Sequence, residues 1–152
     1  MGLKEKLQAD LTDAIKARNE TKAGTIRMVL AAITTEEVSG KQARVLTDTE
    51  IITVLSREAK KRREAIDAYA AANRADLVAK EKSESDFISA YLPEQLSDSE
   101  IEKLVQDAIS QTGVSGPSGM GQVMKFLQPK IAGKADGGKV SAAVRSALIG
   151  GN

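Results

Sequence analysis

Tyr91-Leu92-Pro93-Glu94-Gln95-Leu96-Ser97-Asp98-Ser99-Glu100 divides this chain into two helical parts. Proline lacks the amide hydrogen and disfavours helical geometry in the residue before it, so a helix arriving through Phe87, Ile88 and Tyr91 stops here. Ser97 with Glu100 three residues on is a capping-box pattern, and Ile101, Leu104, Val105, Ala108 and Ile109 then recur at helical spacing. The expectation is an N-terminal helical domain over 1-92 and a C-terminal one over 97-150.

Reading back from that boundary, Leu77, Val78, Phe87, Ile88 and Tyr91 mark a helix from about Ala75 to Tyr91. Thr47 and Glu50 form another capping box, opening a long helix with Ile51, Val54, Leu55, Ala59, Ile66 and Tyr69 on its apolar face and a break near Asn73. Its charged block includes Lys60-Lys61-Arg62-Arg63. Four consecutive residues go once round a helix, so at least one of these cations points toward the packed side. The others form either a salt-bridged solvated face or a contact for RNA or a protein partner. Leu3, Leu7, Leu11, Ala14 and Ile15, then Ile26, Val29, Leu30 and Ile33, predict two earlier amphipathic helices. The N-terminal part is thus a bundle of about four helices.

Forward of the boundary, Gly113-Val114-Ser115-Gly116-Pro117-Ser118-Gly119 is turn-rich and leads into a short helix with Met120, Val123, Met124 and Leu127, limited by Pro129. Asp136 is placed to cap a last helix burying Val140, Ala143, Val144 and Leu148. No run alternates β-branched residues in the way a strand requires. The fold class is all-α.

Composition narrows the function. The chain has 152 residues, no His and no Cys, with 22 basic against 21 acidic side chains. The commonest general base and the soft metal ligands are missing, so no catalytic residue, metal or cofactor is assigned. Glu36-Glu37, and Glu81 with Glu84 and Ser85, are carboxylate pairs of the kind helix surfaces supply everywhere, and they read as solvated charge. No membrane-length apolar run occurs, and the cysteine-free composition fits a reducing compartment; cytoplasm is the expectation. Gly116 to Gly121 has the outer spacing of a phosphate loop, but Gln122 and Val123 stand where Lys and Ser or Thr are needed. A weaker anion contact at the start of the Met120 helix remains, against the reading that these glycines only shape a turn. Residues 113–152 carry Lys125, Lys130, Lys134, Lys139 and Arg145 against Asp136 alone, an electrostatic pattern that suits RNA.

The run Glu58-Ala59-Lys60-Lys61-Arg62-Arg63-Glu64-Ala65-Ile66, then Asp76 to Glu81, then Tyr91-Leu92-Pro93-Glu94-Gln95-Leu96, resembles the YqeY family of small bacterial proteins. Met120-Gly121-Gln122-Val123-Met124 with Gly133-Lys134-Ala135-Asp136-Gly137 resembles its tail. The resemblance departs at Ser118-Gly119 and Gln122, where the family often carries more charge. That tail (the GatB/YqeY domain) is similar to the C-terminal domain of the B subunit of the glutamine-dependent tRNA amidotransferase, where it grips tRNA. The resemblance therefore implies a three-helix tRNA-facing module with Gly119, Gly121, Lys125, Lys130, Lys134 and Lys139 toward the RNA. It also implies an accessory role with tRNA or an amidotransferase as partner. A carbon-nitrogen ligase activity using glutamine would be inherited through the tail alone, and a helical protein-interaction scaffold is the alternative.

Overall fold

A computed structural model describes residues 2–150. Among them the chain forms seven α-helices and no strand: α1 (Leu3–Lys16), α2 (Glu20–Glu37), α3 (Asp48–Ala71), α4 (Ala75–Ser89), α5 (Asp98–Thr112), α6 (Met120–Ile131) and α7 (Gly137–Gly150). One 3-10 turn, Pro117–Gly119, precedes α6. The chain divides into two compact units, one ending at Leu92 and the other beginning at Pro93.

In the first unit, α1 to α4 enclose Leu7, Ile26, Val29, Ile33, Ile51, Leu55 and Ile88. Local chemistry sets the helix ends. Thr47 Oγ1 accepts the Glu50 amide while Glu50 Oε2 accepts the Thr47 amide at 2.8 Å, satisfying two otherwise orphaned donors at the start of α3. Asn19 caps α2 by accepting the Lys22 amide at 3.1 Å. Arg18 and Asn73 both sit at φ 57°, the left-handed turn that ends α1 and α3. Ile15, expected in the apolar stripe, is 49% exposed, because the turn toward α2 begins there and Leu7, Leu11 and Ala14 form the packed side.

In the second unit, α5, α6 and α7 pack pairwise around Ile101, Val105, Val123, Leu127, Val140 and Val144. Ser97 caps α5, Gly113 ends it at φ 66°, and Asp136 Oδ1 accepts the Gly138 amide at 3.1 Å at the head of α7. Pro129 does not limit α6, which runs through it to Ile131. Pro129 lies in the last turn on the exposed face, so the one missing donor frees a carbonyl that water can reach, while burial of Ile131 holds the final turn in place.

Candidate functional site

The residues expected to face RNA are strung along the second unit rather than gathered. Gly119 and Gly121 stand at the start of α6, Lys125 at its middle, Lys130 in its last turn, and Lys134 and Lys139 beyond it. At 1.5 Å rise per residue, α6 alone separates the first from the last of its members by roughly 15 Å. Gly121, Lys125 and Pro129 share the outer face of α6 at i, i+4 spacing and are all exposed.

Two of the lysines are engaged within the unit. Lys130 Nζ lies 4.5 Å from the Phe126 ring centroid and 3.9 Å from Asp107 of α5. Lys139 pairs with Asp98 at the head of α5. Lys125 and Arg145 make no ion pair among the described residues.

The charge balance also changes once the folding unit is known. A basic tail counted from residue 113 omits α5, which carries Asp98, Glu100, Glu102 and Asp107 against Lys103. Over residues 93–152 there are six basic and six acidic side chains. Basic character is therefore confined to the α6 and α7 side of the unit.

Gly119 is buried and is set by packing. A Cβ there would lie 2.5 Å from Val114 Cβ, too close for either atom to accommodate without backbone movement. The turn before α6 also consumes donors that an anion would need. The Gly119 amide bonds to Gly116 O at 3.1 Å and the Met120 amide to Pro117 O. Gly119→Ala is accordingly expected to cost about 1–3 kcal/mol through overpacking, read as a lowered midpoint in urea titration followed by circular dichroism, and Val114→Ala, which keeps the Cβ at 114, should not restore it.

The basic block of α3 resolves differently from position to position. Arg62 is the cation that turns inward, 7% exposed, while Lys60, Lys61 and Arg63 stay outside. Arg62 Nη1 donates to Glu58 Oε2 at 2.9 Å, Lys61 reaches Glu58 at 3.1 Å, and Arg57 reaches Glu36 at 3.1 Å. Lys61 is thus engaged within α3, and Arg57 with α2.

The carboxylates read as solvated include two that are not. Glu37 is buried because it ties the loop back onto α2: it accepts Lys4 Nζ at 2.6 Å and the Leu46 amide at 3.1 Å, and the Lys4 bond, then the Leu46 bond, hold its carboxyl below the usual range. Glu84 is buried in the α3–α4 seam, and desolvation, then the neighbouring Glu81 charge, push its carboxyl up. Glu84 shares a stripe with Leu77, Glu81, Ile88 and Tyr91 at the spacing of a packed helix face, a pattern visible in the sequence. Tyr91, known from sequence only as a stripe member, donates from its hydroxyl to Asp10 Oδ2 at 2.6 Å; the bond lowers Asp10, and burial, then this bond, raises the phenol.

Among the described residues no group of His, Cys, Asp or Glu is arranged to hold a metal ion, and no helix is long and apolar enough to cross a membrane. The family model described as Yqey-like protein matches residues 4–148. The chain belongs to the YqeY family. A curated relative of this YqeY chain in Pyrenophora tritici-repentis, Altered inheritance of mitochondria protein 41, mitochondrial, is 30% identical over 132 residues, 86% of this chain and 71% of that protein. An uncharacterized protein of Schizosaccharomyces pombe is 34% identical over 91 residues, 60% of this chain and 72% of that one. The Saccharomyces cerevisiae protein of the same mitochondrial name is 34% identical over 98 residues, covering 63% of this chain and 51% of its own length. These relatives are fungal, and two of the three carry a mitochondrial name.

Proposed function

We propose that this YqeY chain is an accessory protein that meets tRNA, alone or alongside a tRNA amidotransferase, through the α6 and α7 side of its second unit, supplying a surface and no chemistry. The observation that supports this reading best is the outer face of α6, where Lys125 stands exposed and without an ion-pair partner among the described residues. Lys134 and Arg145, both exposed, extend the same basic side, and α5 carries most of the unit's acidic charge. Backbone phosphates, which carry most of the affinity in such contacts and little of the sequence information, are the chemistry these side chains suit. The cysteine-free composition supports a reducing compartment such as a bacterial cytoplasm.

A fluorescence titration of labelled tRNA with the full chain, over a range of salt, tests it. With three phosphate contacts the log-log slope is expected to be about −2 to −3, and Lys125→Ala should flatten it by about one contact's worth. A slope near zero, or one that Lys125→Ala leaves unchanged, would remove tRNA from the reading. The equal charge of the second unit then favours a helical protein-interaction scaffold, for which no net polyanion attraction is required.

A further inference from the structure

The α1–α2 corner of the first unit holds a cavity of about 440 Å³, within the range that small ligands occupy. Its floor is apolar: Ala14 and Ala23 are buried, and Ile15 stands beside them 49% exposed. Its polar lining consists mostly of donors. Arg18 comes from the turn after α1, Asn19 from the cap of α2 and Arg27 from two turns further along α2. Both arginines are exposed, and neither makes an ion pair among the described residues. Many of the unit's other cations are spent on neighbours: Lys4 on Glu37, Arg44 on Glu50, Arg57 on Glu36 and Arg62 on Glu58. Asn19 Oδ1 accepts the Lys22 amide at 3.1 Å, which leaves the Nδ2 hydrogens with no acceptor among the described residues. The carbonyls of Asp13, Ala14 and Ile15, which would otherwise repel an anion at the end of α1, accept the amides of Ala17, Asn19 and Arg18. Residues 13–28 carry Lys16, Arg18, Lys22 and Arg27 against Asp13 and Glu20.

We propose that this corner binds a small phosphate monoester, its dianion held by Arg18, Asn19 and Arg27 and the apolar part of its body laid on Ile15. Guanidinium forks suit phosphate because two parallel N–H groups meet two oxygens at once. Two forks from separate segments, in a stretch with four cations against two anions, match a dianion better than a single carboxylate. Glu20 is the one anion in the lining; it weakens the field and offers an acceptor to a hydroxyl or amine on the ligand's body. Arg18 also has its backbone in the left-handed region at φ 57°, which glycine enters more readily than arginine. Arg18→Gly therefore removes the guanidinium while relaxing the turn. The site lies on the first unit and does not depend on the tRNA reading.

A chemical-shift titration of the full, ¹⁵N-labelled chain in low-salt, phosphate-free buffer tests it, with phenyl phosphate, inorganic phosphate and phenol as probes. Phenyl phosphate is expected to give saturable shifts centred on residues 14–27 and to bind at least about fivefold more tightly than inorganic phosphate, with no saturation by phenol. Arg18→Gly and Arg27→Gln should each weaken phenyl phosphate by about tenfold or more. Glu20→Gln should tighten it a few-fold by removing the opposing charge, and Lys125→Ala, on the second unit, should leave it unchanged. In the absence of ligand Arg18→Gly should melt within about 3 °C of wild type, since relief of the turn offsets the entropy glycine adds to the unfolded chain. Phenyl phosphate shifts that do not saturate would overturn the proposal, as would a loss in Lys125→Ala equal to that in Arg27→Gln, the mark of diffuse attraction to any basic surface. Inorganic phosphate binding as tightly as phenyl phosphate would overturn the monoester as the ligand. If Arg18→Gly melts well below wild type, undiminished binding by Arg27→Gln overturns the site equally.

Discussion

Arg62→Met is expected to destabilise the first unit by about 3–5 kcal/mol, the cost of leaving a buried charge without its partner. The methionine fills much of the same space, so the loss is electrostatic. Glu58 retains Lys61 at 3.1 Å, but Lys61 is largely in water and Glu84 is left with Lys80 against Glu81. Part of the penalty should therefore disappear on moving from pH 7.5 to pH 5, as Glu84 takes up a proton. Arg62→Lys keeps the charge and should cost less, though it loses the fork that spans Glu58 and Met28. The chain has two tyrosines, Tyr69 and Tyr91, and no tryptophan, so urea unfolding followed by tyrosine fluorescence reports the first unit. A midpoint within error of wild type would show that the cluster carries no weight.

Leu127→Ala should be nearly as damaging to the second unit. Leu127 is fully buried at the meeting of α5, α6 and α7, and truncating such a leucine costs about 2–5 kcal/mol in transfer energy and cavity. A unit of this size holds only about 3–9 kcal/mol in total, so much or all of its margin is at stake. Far-ultraviolet circular dichroism should show loss of helix at low urea while the tyrosine transition stays put. If both signals shift together, the two cores are not separately cooperative.

What the sequence made legible was mostly local. The capping boxes at Thr47 and Ser97 and the stripe from Ile101 to Ile109 each depend on residues within a few positions of one another, and each helix starts where those residues stand. The inward turn of one cation in the α3 block follows from helical geometry alone. Which cation it is follows from Leu55, Glu58 and Ala59, whose spacing Arg62 continues. Pro129 lies inside α6 rather than at its limit because local propensity says nothing about the burial of Ile131 two residues later. Glu84 is buried where the sequence suggests solvated charge, because a carboxylate on a packed stripe cannot be told from a solvated one until the facing helix is known.

The candidate interface was harder to read. Gly119 looked like a place for a close approach by an anion, and the neighbour that occupies that space is Val114. The partners of Lys130 and Lys139, Asp107 and Asp98, lie on α5, too far away in sequence for local spacing to pair them. Counting charge from a composition change at residue 113 left out the helix that balances it.

That balance has an electrical consequence. With carboxylates concentrated on α5 and amines on α6 and α7, the second unit has little monopole and a marked dipole moment. A dipole's field falls off faster with distance than that of a net charge, so it adds little to the long-range capture of a polyanion. At close range it exerts a torque, presenting α6 and α7 and turning α5 away. Encounters with a phosphate-rich surface should thus be slow to begin and selective in orientation, and added salt should blunt the alignment more than the number of collisions.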